Sequence, residues 1–354
     1  MKVLLTGSAG FIGSAIGRVL GDAGHEVVGV DVMLPQAHGL LDAPAGTHRV
    51  DVRDAESWGD LLDGVDVVCH QAALVRAGVR VADLTGYAGH NDLGTAAVLV
   101  AMHERGVDRL VLASSMVVYG EGRYRCATHG SQPPGVRPLA ALEAGEFENP
   151  CPVCAEPLGW ELVDEDARLD PRSSYAASKL AQEHYAGAWV RQAGARAIAL
   201  RYHNVYGPGM PRDTPYSGVA AMFRSSLERG EAPQVYEDGG QMRDFVHVDD
   251  VARANLAAIE TVGRPGRDQR HDFAAYNVCS GVPVSIRDVA VQVARGAADP
   301  REPEVTGGFR VGDVRHVVAS PERAARELGF TATITPDVGL PAFATAPLRA
   351  PAAG

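Results

Sequence analysis

The chain has little of what several protein classes require. Its 354 residues include five cysteines, and 33 Lys and Arg stand against 44 Asp and Glu, which gives a net charge of −11. Nucleic-acid binding needs a concentrated basic face, and no Lys/Arg run is present. No segment approaches the roughly 20 apolar residues of a membrane span, and the start, MKVLLTG, lacks the regions of a signal peptide. We therefore expect a cytoplasmic protein that binds neither nucleic acid nor membrane, with reduced thiols or metal ligands rather than a disulfide framework.

Strand-like and helix-like segments alternate over the first two hundred residues. KVLLT precedes FIGSAIGRVLGDAG, EVVGVD follows, and the alternation continues through VDVVCHQAA and RLVLASS to a long helical segment that begins at YAASK. Strict alternation predicts a parallel sheet covered by helices on both faces. We predict an α/β fold: a Rossmann-type doubly wound parallel sheet in residues 1–202, then a smaller C-terminal substrate lobe in residues 203–340 interleaved with late elements of the sheet. The Ala- and Pro-rich tail, residues 341–354, is expected to be poorly ordered.

A glycine pattern lies between the first strand and the first helix. TGSAGFIG contains Gly7, Gly10 and Gly13, and glycines let backbone N–H groups and a helix N-terminus approach a pyrophosphate. The flanking strand and helix disfavour the alternative that these are only turn glycines. The pattern indicates a dinucleotide site.

Acidic residues follow the next two strands. Asp31 ends EVVGVD, where a carboxylate can accept from both hydroxyls of an adenosine ribose, and no Arg follows it directly to take a 2′-phosphate. NAD is therefore favoured over NADP. Asp51 and Val52 could flank the adenine, or belong to the start of a helix capped at Asp54.

Tyr175 and Lys179 stand four positions apart in YAASK, so on a helix they share one face. An ammonium group beside a phenol lowers the phenol's pKa from near 10 toward neutrality, which makes it a usable acid or base. Ser115, at the end of RLVLASS, can bond the same substrate oxygen. Taken alone, a Tyr and Lys pair of this kind is more often a surface pair.

Further segments carry a family resemblance. They are HQAA at 70–73, NDLGT at 91–95, SSMVVYG at 114–120, LRYHNVYGPG at 200–209, GGQMRDFVHVDDVARA at 239–254, YNVCSG at 276–281 and RVGDVRH at 310–316. Together with TGSAGFIG and YAASK, they make the chain resemble an extended short-chain dehydrogenase/reductase of the NAD-dependent nucleotide-sugar epimerase/dehydratase family, with UDP-glucose 4-epimerase-like motifs. The resemblance extends from residue 2 to residue 330.

The resemblance implies roles for the matched residues. Ser115, Tyr175 and Lys179 match the catalytic residues, with Tyr175 as the general base. The implied cofactor-binding residues are Gly7, Gly10, Phe11, Ile12, Gly13, Asp31, Asp51, Val52, Gln71, Ala72, Ala73, Asn91, Ser114, Tyr175, Lys179 and Tyr202. The implied substrate-binding residues are Ser115, Met116, Asn204, Val219, Val235, Tyr236, Arg243, Arg310 and Asp313, with Tyr216 and Ser217 expected in the same nucleotide pocket. Family members often dimerise through the helix after Asn91 and the helix bearing Tyr175, so a homodimer is expected.

The two residues after Ser115 reduce the number of reactions that the family resemblance allows. In this family NAD takes a hydride from a sugar carbon while the tyrosinate takes the hydroxyl proton, and dehydratases add an Asp-Glu pair where this chain has Met116 and Val117. We therefore predict C4 epimerisation of a UDP- or dTDP-hexose through a transient 4-keto intermediate, with tightly bound NAD. A nucleotide-sugar 4-ketoreductase or dehydrogenase with the same triad is the nearest alternative. A non-catalytic NAD-binding sensor is a remote one, because the triad is intact.

Residues 121–168 depart from the family, whose members mostly have a short loop there. The insertion carries two pairs with ligand spacing: Cys126 with His129, and Cys151 with Cys154. Such pairs form a tetrahedral Cys3His zinc site, and a metal would supply the energy to order an insertion with almost no apolar core. We predict structural zinc, with a redox pair or ordinary thiols as alternatives. We also expect the insertion to border the sugar pocket, since it leaves the chain after Ser115 and returns before Tyr175.

Overall fold

Parallel strands form the centre of this computed structural model, which describes residues 1–38, 43–75, 81–212, 218–263 and 273–349. The strands are β1 (Lys2–Thr6), β2 (Glu26–Asp31), β3 (Thr47–Arg49), β4 (Val67–His70), β5 (Arg109–Ser115), β6 (Arg123–Cys126), β7 (Gly130–Ser131), β8 (Gly159–Glu161), β9 (Arg196–Tyr202), β10 (Asn204–Tyr206), β11 (Gln234–Val235), β12 (Met242–His247), β13 (Phe273–Val278), β14 (Pro283–Ser285) and β15 (Glu304–Val305). The main sheet has seven parallel strands in the order β13-β9-β5-β4-β1-β2-β3. The predicted doubly wound sheet is confirmed.

Helices cover the sheet. They are α1 (Phe11–Asp22), α2 (Pro35–His38), α3 (Ala55–Trp58), α4 (Leu84–Tyr87), α5 (Gly94–Glu104), α6 (Leu139–Glu143), α7 (Ser174–Ala193), α8 (Val219–Glu228), α9 (Val248–Gly263), α10 (Ile286–Gly296), α11 (Glu322–Leu328) and α12 (Pro336–Phe343). The long α7 is delimited by its sequence: the Ser173 hydroxyl accepts from the Ala176 N–H at 3.1 Å, and Gly194 ends it with φ +66°. Among the described residues no helix is long and apolar enough to cross a membrane.

The side chains of β1 show how the core is divided. Val3 and Leu5 belong to the apolar cluster that contains Ile16 of α1 and Val251 of α9, whereas Leu4 belongs to the cluster that contains Trp189 of α7. Successive side chains of a strand point to opposite faces, so one apolar segment supplies both cores. Because all seven strands run in parallel, their carboxyl ends meet at one edge, where ligands bind in such sheets.

A second lobe lies next to that edge. Its strands form the sheet β10-β12-β14 and the pair β11-β15. Its apolar core contains Tyr206, Phe223 of α8, Val289 of α10 and Phe343 of α12.

The C-terminal segment differs from the sequence prediction. Residues 336–343 form α12, and Leu340 and Phe343 are buried in the core of the second lobe. The chain then runs past the loop at Met210, whose carbonyl accepts from the Arg349 N–H at 3.1 Å. The expectation of a poorly ordered tail is therefore wrong for residues 341–349, because three-dimensional packing buries apolar side chains that show no strong periodicity. Residues 350–354 lie outside the described residues.

Candidate active site and metal centre

In the glycine-rich loop, backbone atoms of neighbouring segments approach one another too closely for any side chain to fit between them. Gly7 has φ +68°, and a Cβ there would lie 2.8 Å from the Ala72 nitrogen. A Cβ on Gly13 would lie 2.0 Å from the Gly7 carbonyl oxygen. The loop therefore packs on the start of α1 and on the segment after β4 only because these positions are glycine. The first-turn N–H groups of α1 are left facing the cavity, as binding of a pyrophosphate requires.

One cavity of about 410 Å3 brings most of the predicted site residues together. The predicted residues that line it are Gly7, Gly10, Phe11, Ile12, Gly13, Asp31, Asp51, Val52, Gln71, Ala72, Ala73, Ser114, Ser115, Tyr175, Lys179, Tyr202, Asn204 and Val219. They come from the carboxyl ends of β1, β2, β4, β5 and β9, from α1 and α7, and from the second lobe. The predicted residues that do not line it are Asn91, Met116, Val235, Tyr236, Arg243, Arg310 and Asp313. Tyr216 and Ser217 lie outside the described residues.

Asp31 is held in place before any ligand binds. Its carboxylate accepts from the N–H groups of Met33 at 2.8 Å and Ala9 at 3.1 Å, and lies 3.3 Å from His38 Nε2. Burial opposes ionisation, but the bonds from His38 and Met33 outweigh it and hold the pKa of Asp31 below its ordinary value. The group is thus an ionised acceptor at the end of β2, suited to ribose hydroxyls. Asp51 is paired with Arg53 and lines the cavity nearby.

Ser115, Tyr175 and Lys179 converge at the other end of the cavity. The hydroxyl of Ser115 forms a hydrogen bond with the Tyr175 phenol, and Lys179 Nζ donates to the Ala113 carbonyl at 3.0 Å. Lys179 is 3 % exposed, and burial lowers its pKa to about 8 although the nearby Glu183 carboxylate opposes the shift. An ammonium with a pKa this close to neutrality can exchange protons during a reaction.

The pKa of Tyr175 differs from the sequence prediction. Burial raises the pKa of its phenol above the ordinary value, and the hydrogen bond with Ser115 opposes the rise. Lys179, whose ammonium is bonded to Ala113, is not among the groups that set this pKa. The predicted lowering by Lys179 is therefore not met in this structure, because desolvation of the phenol dominates.

A chain of buried polar side chains fixes the cavity wall after β4. Thr6 Oγ1 accepts from the backbone N–H groups of Gln71 at 3.1 Å and Ala72 at 3.0 Å. His70 lies between Thr6 Oγ1 at 2.8 Å and Thr95 Oγ1 at 3.1 Å. Burial lowers the pKa of His70 to about 3, so the imidazole is neutral and serves as one donor and one acceptor. Buried protein groups thus fix the backbone of Gln71 and Ala72 at the cavity wall.

Asn91 has a positioning role rather than a place in the cavity. Its side chain accepts from the Leu74 N–H at 2.7 Å, and donates to the Leu74 carbonyl at 3.1 Å and to Ser178 Oγ at 2.9 Å. It therefore ties the segment after β4 to α7. Both ends of its amide are hydrogen-bonded within the protein, and its contact with the cofactor stays a prediction.

Several predicted substrate residues lie on strands β11 and β12 and on residues 310–316. Arg243 donates to the carbonyls of Val314 at 2.6 Å and of Met242 and Arg315 at 2.9 and 2.8 Å, so its guanidinium braces the backbone rather than reaching the cavity. Arg310 lies over the Tyr236 ring at 5.4 Å. The remaining three are placed as follows: Met116 Sδ is 3.7 Å from Asn204 Nδ2, Val235 is fully buried, and Asp313 is exposed.

Sequence reasoning missed several cavity residues, and two of them make polar contacts with predicted ones. His38 contacts Asp31, and Arg349 donates to the carbonyl oxygens of Ala9 and Gly10. Both line the cavity. Neither belongs to a motif, and only folding brings them to the glycine-rich loop.

The four predicted metal ligands lie together. The donor atoms of Cys126, His129, Cys151 and Cys154 are all within 4.8 Å of one another. Cys126 Sγ is 3.5 Å from His129 Nδ1 and 3.7 Å from Cys154 Sγ, and Cys151 Sγ is 3.7 Å from His129 Nδ1. Bond lengths of about 2.3 Å to sulfur and 2.0 Å to nitrogen give tetrahedral edges of roughly 3.5–3.8 Å. The donor set and its geometry therefore fit a tetrahedral zinc ion.

The insertion packs away from the cavity. Its strands form the antiparallel sheet β7-β6-β8, and Tyr124, Cys126, Cys151 and Leu158 make a small buried core. None of its described residues lines the cavity that contains Tyr175. The expectation that it borders this pocket is not met, because its inner side packs on residues 313–318 instead.

The fold and site define a class: a dinucleotide-binding α/β protein whose Tyr and Lys pair lines the same cavity as the glycine-rich loop. The family profile described as "NAD dependent epimerase/dehydratase family" matches residues 3–140 and 154–279, and the chain belongs to that family.

The chain is similar to several 4-epimerases in sequence and structure. A dTDP-L-rhamnose 4-epimerase of Burkholderia thailandensis is 35% identical over 93% of this chain and 90% of its own length. A UDP-glucose 4-epimerase of Streptomyces lividans is 29% identical over 93% and 91%. The crystal structure of a Thermus thermophilus UDP-glucose 4-epimerase in complex with NAD superposes with a TM-score of 0.74, at 31% identity over 97% and 98% of the two chains.

Proposed function

We propose that this protein is an NAD-dependent nucleotide-sugar epimerase that inverts C4 of a UDP- or dTDP-hexose. One observation carries the proposal: Ser115, Tyr175 and Lys179 line the same cavity as the glycine-rich loop. The named 4-epimerase relatives support it. Met116 and Val117, which stand where dehydratases carry an acid pair, leave no carboxylate beside Ser115 for elimination of water.

The residues present fit NAD. Gly7 and Gly13 leave the close backbone approach that a pyrophosphate needs, and the ionised Asp31 can accept from the adenosine ribose. The chemistry that bound NAD supplies is reversible acceptance of a hydride from the sugar carbon.

Side chains of the protein transfer the proton of the C4 hydroxyl. Tyr175 takes the proton of the C4 hydroxyl as the transient 4-ketone forms on the sugar. It returns the proton after the keto-sugar has rotated in the cavity and presents its other face. Ser115 donates a hydrogen bond to the same oxygen. Because burial raises the pKa of Tyr175 in this structure, the phenolate requires a positive charge beside it in the complex, and Lys179, one helical turn away in the same cavity, is the side chain that we propose for this role.

Turnover without added cofactor tests the proposal. Purified protein is incubated with UDP-glucose, UDP-glucuronate, UDP-N-acetylglucosamine, dTDP-glucose and dTDP-L-rhamnose, and the products are separated by chromatography. Formation of a C4 epimer without added NAD supports an epimerase with retained cofactor. Product formation only with stoichiometric NAD(H) means that the protein is a 4-ketoreductase or dehydrogenase, and the epimerase proposal is then wrong.

We also propose that Cys126, His129, Cys151 and Cys154 hold a structural zinc ion. The tetrahedral spacing of their donor atoms supports it. Metal analysis of protein purified without chelator should find about one zinc per chain, and the Cys126→Ser variant should lose it. Protein that contains no metal and carries a Cys151–Cys154 disulfide would instead support the redox alternative.

A homodimer is proposed through the helical segments after Asn91 and through α7. Leu93, Val100 and Tyr185 on these segments are 56%, 55% and 46% exposed, which is unusual for large apolar side chains grouped on neighbouring helices. Light scattering should give twice the chain mass, and Val100→Glu should give the monomer mass. A monomeric unaltered protein would contradict the proposal.

A further inference from the structure

We propose that the insertion, residues 121–168, positions the nucleotide end of the substrate site through its contact with residues 313–316. A metal ion held by Cys126, His129, Cys151 and Cys154 would keep this contact rigid. The inference rests on the proposed function, because it assigns the segment at residues 310–316 to nucleotide binding. The structural basis is a buried carboxylate at the start of the insertion.

Glu121 is the centre of the contact. It is 4% exposed, and its Oε2 accepts from the Arg315 N–H at 2.8 Å, from Asn149 Nδ2 at 3.0 Å and from the Tyr124 hydroxyl at 3.1 Å. A buried carboxylate that loses its donors is strongly unfavourable. Two segments of the insertion and the backbone of residues 310–316 are therefore held to one another through this single group.

The donors to Glu121 are tied to the metal ligands. Tyr124 stands two residues before Cys126 on β6, so both side chains share one face of the strand. Asn149 stands two residues before Cys151. Tyr124, Cys126 and Cys151 pack in one small apolar core. A metal that holds Cys126 and Cys151 at a fixed separation therefore also fixes the two donors to Glu121.

Arg137 of the insertion makes a second contact with the predicted substrate-binding segments. Its side chain is 4% exposed; it donates to the carbonyls of Asp313 at 2.7 Å and Phe147 at 3.0 Å, and pairs with Glu237 at 2.9 Å. Asp313 is a predicted substrate residue, and Glu237 follows Tyr236, another of them. The insertion thus contacts two of the segments that carry predicted substrate-binding residues, those at 235–237 and 310–316.

Glu148 strengthens the same contact. Its carboxylate accepts from Arg315 Nε at 2.9 Å and lies 2.9 Å from His316 Nε2, while the backbone N–H of His316 donates to the Tyr124 hydroxyl at 2.9 Å. Because the insertion touches residues 313–316 but does not line the cavity around Tyr175, its effect falls on substrate binding rather than on proton transfer.

Kinetics and binding of the full-length protein test the inference. Tyr124→Phe removes a donor to Glu121 without touching a metal ligand, and Cys151→Ser removes a ligand. For both we expect the KM for the nucleotide sugar and the Kd for UDP or dTDP to rise about 10-fold, with kcat within about 2-fold and NAD content unchanged. Arg125→Ala is the matched control, since Arg125 lies on the same strand but is 57% exposed and pairs with Glu161; it should leave all these values unchanged.

Hydrogen exchange provides a readout independent of turnover. Chelation of the metal should raise exchange in residues 313–318 and leave β1 and β2 unchanged. Unaltered KM, Kd and exchange in Cys151→Ser protein that has lost its metal would overturn the inference, as would a lower kcat at constant KM. If the unaltered protein binds UDP or dTDP without turnover, the proposed function fails while the Kd and exchange still decide this inference. If it binds neither nucleotide, both are wrong.

Discussion

The glycine-rich loop and the Cys/His cluster of the insertion are both compact sites, yet different forces hold them. The loop is fixed by backbone close approach at Gly7 and Gly13 and by apolar clusters on both faces of the sheet. The cluster brings four polar donor atoms within 4.8 Å of one another beside a core of only a few apolar residues. Three cysteine sulfurs at this distance repel one another once ionised unless a cation is present. The cofactor site is thus held by packing of backbone and apolar side chains, whereas the insertion is where we expect a bound cation to contribute to stability.

The largest expected effect is a loss of catalytic rate without a change in the folded structure. Tyr175→Phe removes the proton carrier but keeps the ring that packs 5.8 Å from Tyr87. We expect kcat to fall about 10³-fold, with bound metal and the circular dichroism spectrum unchanged. Rates of epimer formation measure the effect. A loss of less than tenfold would show that Tyr175 is not the proton carrier.

Gly13→Ala tests the steric origin of the cofactor loop. The new Cβ would lie 2.0 Å from the Gly7 carbonyl oxygen, so the loop and α1 must separate. We expect a loss of roughly 3 kcal/mol in the free energy of unfolding and loss of NAD from the purified protein, with zinc retained.

The control is Gly17→Ala in the same helix. The nearest atom to its Cβ is Leu5 Cδ2 at 3.6 Å, and replacing a helical glycine by alanine stabilises by about 1 kcal/mol where space allows. Denaturant unfolding and the absorbance of bound cofactor measure both variants. Equal behaviour of the two would refute the steric explanation.

The buried ammonium of Lys179 should make stability depend on pH. Its folded pKa is about 8, below the ordinary 10.5, so between these values the unfolded chain binds more protons and the free energy of unfolding rises with pH. From pH 8 to pH 10 we expect a gain of about 2 kcal/mol relative to Lys179→Met, which lacks the group. Urea titrations of both proteins across this range measure it. Parallel pH profiles would show that Lys179 titrates normally.

The smallest effect concerns the C-terminal segment at the loop. Arg349→Ala removes the donors to the carbonyls of Ala9 and Gly10, and we expect a loss of about 1 kcal/mol in the free energy of unfolding. Arg301→Ala is the control, because Arg301 forms an exposed pair with Asp299, and such pairs contribute little. Equal stability of the two variants would mean that the tail does not brace the loop.

Part of the fold and site could be predicted because its signals are local. The alternation that begins with KVLLT and FIGSAIGRVLGDAG gave the parallel sheet, and the spacing of Cys126, His129, Cys151 and Cys154 gave a cluster that the structure brings together. The contacts of Asn91 with Leu74 and Ser178 could not be predicted, because nothing in NDLGT reveals which segments pack against it. The direction of the Arg243 side chain could not be predicted either, because two of the three carbonyls that accept from it, those of Val314 and Arg315, lie about 70 residues further along the chain.

The sequence by itself determined which residues meet at the carboxyl edge of the sheet, since parallel strands bring their ends together whatever the details of packing. It also determined where backbone must pass close to backbone, because only glycine permits it. Tertiary structure alone decided the pKa values of the site residues and the contacts between segments far apart in the chain. Burial rather than Lys179 sets the pKa of Tyr175, Arg349 reaches a loop 340 residues earlier in the chain, and Glu121 joins the insertion to Arg315. These depend on desolvation and on contacts between segments far apart in the chain, which local patterns do not encode.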